Sequence, residues 1–334
     1  RYEVEFSSIG YQNRLFSETL LGDRRGLELE VEMEERAVTT EEVKIVASSK
    51  WRTRNDAALV SSRSFTAEES SRIAGTADDP ARVATRFPGV ISTPDVLNNA
   101  IIVRGNPGRA VLWRLEGIDI FNPNHFGELE GSGGILTIFS QQLLARTDFF
   151  TSAFPADYGN ALGSVFDVRF RNGNSQQLAG SFQLSLLGID AALEGPLGKE
   201  KRTSFLGNYR YSTTSDEDQK LPQVTIPTFQ DLSFKIHRDL KNGGQLNVFG
   251  IGGISQLDRV PNLDTTVRDT VLGSNIRRTT SSFSGTLGMN YSVPLGDKTY
   301  LETSALATGQ NYRNATYFLN RQLEEELQNW SDID

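Results

Sequence analysis

The sequence predicts a β-rich chain in three parts: the end of a β-sandwich, a compact α+β domain, and the first strands of an antiparallel transmembrane β-barrel. Three observations carry this. In the middle, short apolar strands (Ile101–Val103, Val111–Leu115, Val165–Phe170) are set off by clusters of Gly, Pro and Asn. Further on, Phe283, Gly285, Leu287, Met289, Tyr291 and Val293 alternate with Ser284, Thr286, Gly288, Asn290 and Ser292. That run has the length and polarity of a membrane-crossing strand with lipid on one side and a wet lumen on the other. Finally, short and long connections alternate along the C-terminal half, as they do between the two rims of a barrel.

Composition sets the bounds. At 334 residues the chain exceeds one typical core, so two or three domains are expected. A net charge of −8 and the lack of a basic stripe argue against nucleic acid as a partner. With no cysteine, disulfides and thiolate metal sites are excluded. No apolar run is long enough for a spanning helix, which leaves barrel strands open. Arg1 follows no leader and enters a strand-like segment directly, so the chain is expected to begin inside a domain.

In residues 1–36, Val4, Phe6 and Ile9 lead into Gly10-Tyr11, and Leu27, Leu29, Val31 and Met33 alternate with acidic or polar residues. That is a half-buried strand at the end of an antiparallel sheet, and on these residues alone it is either a sandwich end or a generic β-edge. Residues 37–64 hold the short extended segment Glu41–Ala47 and a polar stretch. On its residues alone this segment is either the last strand of the sandwich or an exposed strand able to pair with another protein's sheet edge.

Residues 65–175 form the expected compact domain. Thr66-Ala67-Glu68-Glu69 has the form of a capping box and predicts a short helix through Ile73. Asp79-Pro80 is an N-cap with Pro at the first helical position, predicting a helix over Ala81–Arg86 that Pro88-Gly89 stops. The acids there read as caps. Asn106–Arg109 and Asn122–His125 read as turns, and Gly131–Gly134 as a flexible break without the Lys-Ser/Thr pair of a phosphate loop.

Residues 176–334 carry about seven expected strands in an open sheet. The run Leu178–Leu197 splits into two strands with a tight turn near Gly188. Short turns fall at Pro196–Lys201, Lys241–Gly244 and Pro294–Lys298, and long loops at Thr213–Pro227 and Gln256–Arg278. Asn242-Gly243 is a strong hairpin signal. An odd strand number with two bare edges predicts a fragment of a longer barrel.

These residues together resemble a TonB-dependent outer-membrane receptor of the Bacteroidota type with an N-terminal carboxypeptidase-regulatory-like domain. Ile102-Val103-Arg104-Gly105, Leu115-Glu116-Gly117-Ile118, Asn122–Phe126 and Tyr158-Gly159-Asn160 look like the plug of that family, and Glu194-Gly195-Pro196-Leu197 like its first periplasmic turn. The resemblance implies import of a bulky nutrient (siderophore, glycan or peptide class) across the outer membrane, gated by the plug, with the N-terminal part periplasmic. It assigns Glu42, Val43, Lys44, Ile45, Val46 and Ala47 to a TonB box, and Arg104 to a lock between plug and barrel. Asn106, Arg109, Asn124, His125 and Phe126 become ligand-facing plug apices. The expected partners are TonB with its ExbB/ExbD energy supply, outer-membrane lipid and, as a further candidate, a surface lipoprotein. Neither a cofactor nor a metal is expected. Where many plugs carry a second arginine before Tyr-Gly, this chain has Thr151. A binding or adhesion barrel with a static stopper is the alternative function. An enzyme is disfavoured, since no hydrolase motif occurs and His125 and His237 stand on unrelated segments.

Overall fold

A computed structural model describes residues 2–7, 14–19, 31–33, 61–66, 69–70, 72–73, 76, 79–92, 98–127, 133–145, 147–185, 188–212, 227–259, 276–296, 299–319 and 325–333. The expected TonB box, Glu42–Ala47, lies outside these residues. So do Leu27 and Leu29 and the acidic loop residues Asp216–Asp218.

The N-terminal part shows one hairpin, β1 (Tyr2–Phe6) with β2 (Arg14–Thr19). Val31–Met33, expected to lie in a strand, join no ladder.

The middle of the chain is organised on a mixed five-stranded sheet. Its described elements are β3 (Ser62–Phe65), helix α1 (Pro80–Val83), β4 (Val90–Ser92), β5 (Ile101–Val103), β6 (Val111–Leu115) and β7 (Ile118–Ile120). They continue with β8 (Asn124–His125), β9 (Leu136–Thr137), β10 (Thr147–Phe150) and β11 (Ser164–Val168). The sheet order is β3-β10-β11-β6-β7, and β11 lies parallel to β6.

The local signals act as the sequence predicts. Thr66 and Glu69 exchange the two hydrogen bonds of a capping box, at 3.1 and 3.2 Å. Asp79 accepts from the Ala81 amide at 2.8 Å and Pro80 opens α1. The helical span ends at Arg86 as expected, with its second half, Ala84–Arg86, tightened into a 3₁₀ turn before Gly89 takes φ +80°. The α+β expectation is narrowed: among the described residues of this inner domain the helical elements are only short turns, and the regular structure is mostly strand joined by turns and irregular segments. Its core holds Trp113, Leu115, Phe139, Phe149, Phe166 and Phe170, with Trp113 stacked on Phe166 at 4.3 Å.

The C-terminal half is an eight-stranded antiparallel sheet of β12 (Ala179–Ser185), β13 (Gly188–Pro196), β14 (Thr203–Tyr211), β15 (Thr228–Asp239), β16 (Gln245–Arg259), β17 (Ile276–Gly296), β18 (Thr299–Leu319) and β19 (Glu325–Ile333). The split near Gly188 and the turns at Pro196–Lys201 and Lys241–Gly244 stand where expected; β17 extends through Pro294 to Gly296, so the third connection is left to residues 297–298, outside the described ones. Two corrections are needed. β16 and β17 run through residues expected to be loop, since Gln256–Arg259 pair with Arg278–Ser281. β19 raises the count from about seven to eight; its Glu-Glu-Leu-Gln-Asn-Trp run has no alternating apolar face to announce it.

Alternation sorts the two faces. Leu232, Ile254, Phe283, Leu287 and Met289 are exposed on the outward face, while Ser233, Ser255, Ser284, Thr286 and Asn290 are buried inward. Outward polarity changes at one cross-strand row. Leu232 and Leu287 lie on its short-turn side, and Thr228, Gln256, Ser281 and Arg313 beyond Ile254 and Phe283 on the other. The outward stretch Leu246–Ile254 on β16 has the length of a tilted membrane-crossing strand, about 9–11 residues. No helix among the described residues is long and apolar enough to cross a membrane. The inward face is not the wet lumen expected from alternation alone. Leu206, Phe249 and Ile251 join the core of the inner domain, so this sheet is a wall against which that domain packs. Its outer strands, β12 and β19, do not pair with each other.

Candidate functional site: the seam between inner domain and wall

The seam between the two parts is polar, charged and buried. It centres on the four residues Asn124–Gly127, held by one inward side chain from each of four adjacent wall strands and backed by a fifth side chain from β14. The His125 ring accommodates Asp231 Oδ2 (β15) at Nε2 and Ser255 Oγ (β16) at Nδ1, both at 2.8 Å. The Phe126 amide donates to Ser282 Oγ (β17) at 3.1 Å, and Gln310 Nε2 (β18) donates to the Gly127 carbonyl at 2.9 Å. From β14, the Arg210 guanidinium donates to both oxygens of Asp231 and to the Thr137 carbonyl of β9, the strand paired with β8. His125, Asp231 and Arg210 are all buried.

Small residues admit this clasp. A Cβ at Gly134 would lie 2.3 Å from the His125 carbonyl oxygen, and one at Gly253 would lie 2.7 Å from His125 Cε1. The glycines expected to form a flexible break are therefore, at Gly133 and Gly134, positions of close backbone approach. Asn122 Nδ2 donates to the Gly133 carbonyl at 2.9 Å, and Asn99 Oδ1 accepts from the Gly134 amide at 2.8 Å. Asn99 also donates to Asp79 and to Asn124, each at 2.7 Å. Burial raises the Asp79 carboxyl above its ordinary pKa despite these hydrogen bonds.

Two further ties lie nearer the short-turn rim. The β6–β7 hairpin turns on Glu116-Gly117 with φ +53° and +86°, the twist of a type I′ turn, although Glu suits positive φ poorly. The wall holds it there. Lys235 Nζ (β15) donates to Glu116 Oε1 at 3.0 Å and to the Phe170 carbonyl at 2.8 Å, and Asn290 Nδ2 (β17) donates to the Glu116 carbonyl at 2.7 Å. Arg171 makes a bidentate pair with Glu194 (β13), at 2.5 and 3.0 Å, and Glu194 also accepts from the Asn174 amide.

The structure thus places the expected site residues in two groups. Asn124, His125 and Phe126 are buried in the seam and are not exposed loop tips. Asn106 and Arg109 are exposed. They precede β6, whose far end meets Lys235, so their turn lies toward the long-connection rim. Arg104 is exposed, with φ +51°, and donates to Ser61 Oγ at 3.3 Å. Thr151 reaches the same residue, through its amide at 2.9 Å and its hydroxyl at 3.2 Å to the Ser61 carbonyl. The two positions compared with lock arginines therefore converge on Ser61, at the entry to β3. The sequence reading missed Asp231, Arg210, Lys235 and Glu116. Charged residues at inward positions of β14 and β15 were the available signal. At the long-connection end of β14–β17 lies a cleft of about 560 Å³, lined among others by Tyr211, Phe229, Ser255, Gln256 and Ser282. Ser255 and Ser282 belong to both cleft and clasp.

An inner domain packed on one face of an open sheet of long antiparallel strands with an apolar outer band is the arrangement of a plug against part of a barrel wall. The sequence matches no family model and no curated protein. Solved structures do match. The siderophore receptor PiuA of Acinetobacter baumannii aligns over 78% of this chain and 37% of its own, with 11% identity and a TM-score of 0.51. The siderophore receptor PirA of the same organism aligns over 78% and 45%, with 14% identity and a TM-score of 0.47. A double mutant of the hemophore receptor HasR of Serratia marcescens, in complex with its hemophore HasA and heme, aligns over 77% and 39%, with 14% identity and a TM-score of 0.49. The chain spans less than half the length of each of these receptors. At such identity the likeness to PiuA shows the fold that the two share.

Proposed function

We propose that this chain is the plug and first barrel strands of a TonB-dependent importer of a bulky nutrient, siderophore, glycan or peptide in class, in the bacterial outer membrane. The observation that carries the reading is the seam. A static stopper is best sealed by an apolar interface alone, whereas this one, beside the apolar contact at Leu206, Phe249 and Ile251, is tied by buried ion pairs and directed hydrogen bonds. Such groups hold one arrangement and can exchange to water when the domain moves, because their desolvation cost is returned.

In this reading residues 1–36 end a periplasmic sandwich, 37–64 hold the TonB box and linker, 65–175 form the plug and 176–334 begin the barrel. Glu42–Ala47 pair as an added strand with TonB, energised by ExbB/ExbD. Asn106 and Arg109 face the ligand from the long-connection side. Asn124, His125 and Phe126 relate to ligand only through the clasp beneath the cleft. Arg104 serves the lock, and with Thr151 it also fastens Ser61, the first described residue of the 37–64 segment. A surface lipoprotein remains a candidate partner.

The test is uptake by the full-length protein in cells, together with binding of a Glu41–Ser48 peptide to the periplasmic domain of TonB. Binding of the peptide, with uptake abolished by Val43→Pro, is the expected outcome. No peptide binding with uptake intact in Val43→Pro would replace the importer with a binding or adhesion barrel.

A further inference from the structure

We propose that the clasp on Asn124–Gly127 is a proton-responsive latch, with His125 as its titrating member, so that acid releases the inner domain from the wall at this point. The proposal deepens the gating role given above and rests on it.

The hydrogen bonds admit one polarity. Asp231, paired with Arg210, is an ionised acceptor, so His125 Nε2 carries the proton that faces it. In the neutral ring, Nδ1 is then an acceptor and must receive the Ser255 hydroxyl proton at 2.8 Å. The Ser255 oxygen, its proton committed, accepts from the Ser282 hydroxyl at 3.1 Å. Ser282 in turn accepts from the Phe126 amide at 3.1 Å. The chain runs in one direction, from the plug backbone through two wall serines and back to the plug histidine.

A proton on Nδ1 reverses it. Nδ1 becomes a donor to Ser255, whose own proton turns to Ser282, and the Ser282 proton loses the acceptor it had. The new cation also stands beside Arg210, so two positive groups share the single carboxylate of Asp231. Two further carboxylates act on Arg210: Asp190 on β13, which accepts from Ser140, Gln142 and Asn208, and Asp79 from the inner domain. Around the ring lie Phe229, with centroids 4.8 Å apart, and the close backbone of Gly253, so water has little access to solvate the charge.

Burial accordingly lowers the His125 pKa from 6.5, against the opposing pull of Asp231. The sign follows. The clasped state favours neutral His125, while the released state titrates near 6.5, so the latch is fully formed above that pH and weakens as pH falls below it. One proton taken up only on release gives about a tenfold rise in the released fraction between pH 7.5 and 5.5.

The experiment is hydrogen exchange read by mass spectrometry on the full-length protein in detergent, with protection factors corrected for the intrinsic pH dependence. The peptide containing Asn124–Gly127 is expected to lose protection about tenfold from pH 7.5 to 5.5. His125→Gln can donate to Asp231 and accept from Ser255 but cannot titrate, and is expected to keep its protection at both pH values. Ser255→Ala retains the titrating ring, and should start less protected yet show the same pH slope. A wild-type segment whose protection is independent of pH, or an equal loss in His125→Gln, overturns the proposal. If His125→Gln does not fold, a missing slope in Ser255→Ala overturns it as well. Exchange is read without ligand or TonB, so this result and the uptake result can fail separately.

Discussion

Asp231→Ala should be among the most damaging single changes in the seam, and its cost can be worked from the contacts. The side chain accepts three contacts from Arg210, at 2.7 to 3.0 Å, and one from His125 at 2.8 Å. Its removal leaves a buried guanidinium whose remaining hydrogen bond is to the Thr137 carbonyl, with the Phe229 ring beside it and Asp190 acting only through space. Breaking a buried pair from one side costs about 3–5 kcal/mol, and the orphaned His125 N–H adds about 1–3 kcal/mol. These terms share one site and do not add fully, so we expect about 4–6 kcal/mol against the inner domain. Trp113, buried and stacked on Phe166, reports that domain's unfolding in a urea titration of the full-length protein in detergent, with Trp51 and Trp330 replaced by Phe. Arg210→Met together with Asp231→Ala should recover most of the loss, because no uncompensated charge remains. A single-variant loss below about 1 kcal/mol, or a double variant as unstable as the single, would refute the claim that the pair carries the seam.

Further predictions concern separate features. Gly134→Ala should cost about 1–3 kcal/mol in the same titration and disturb exchange at Asn124–Gly127, since its Cβ meets the His125 carbonyl. Lys235→Met, which leaves the Glu116 carboxylate buried without its cation, should destabilise the inner domain by about 3–5 kcal/mol. Asp79 has a raised pKa, so it opposes folding once the unfolded carboxyl ionises. Inner-domain stability should therefore carry a component that falls as pH rises from 3.8 through the raised value, and Asp79→Asn should remove that slope. Thr151→Val should increase protease cleavage near Ser61 while leaving Trp113 emission unchanged.

What the sequence determined by itself is what depends on neighbours along the chain. The Thr66–Glu69 capping box, the Asp79-Pro80 helix start and the Lys241–Gly244 hairpin turn involve contacts within a few residues. Alternation likewise sorts β14 to β17 into two faces, because a strand's side-chain period is set by its own backbone. Tertiary structure decided the rest. His125 reads as a turn histidine among Asn and Pro, yet its partners lie 106 and 130 residues away, on strands whose register no local signal specifies. Burial of a polar side chain is settled by whether distant donors and acceptors arrive to satisfy it, and here β15 and β16 supply them. The same holds for Glu116, held at positive φ by Lys235 and Asn290, and for β19, an acidic run that pairs only because β18 extends alongside it.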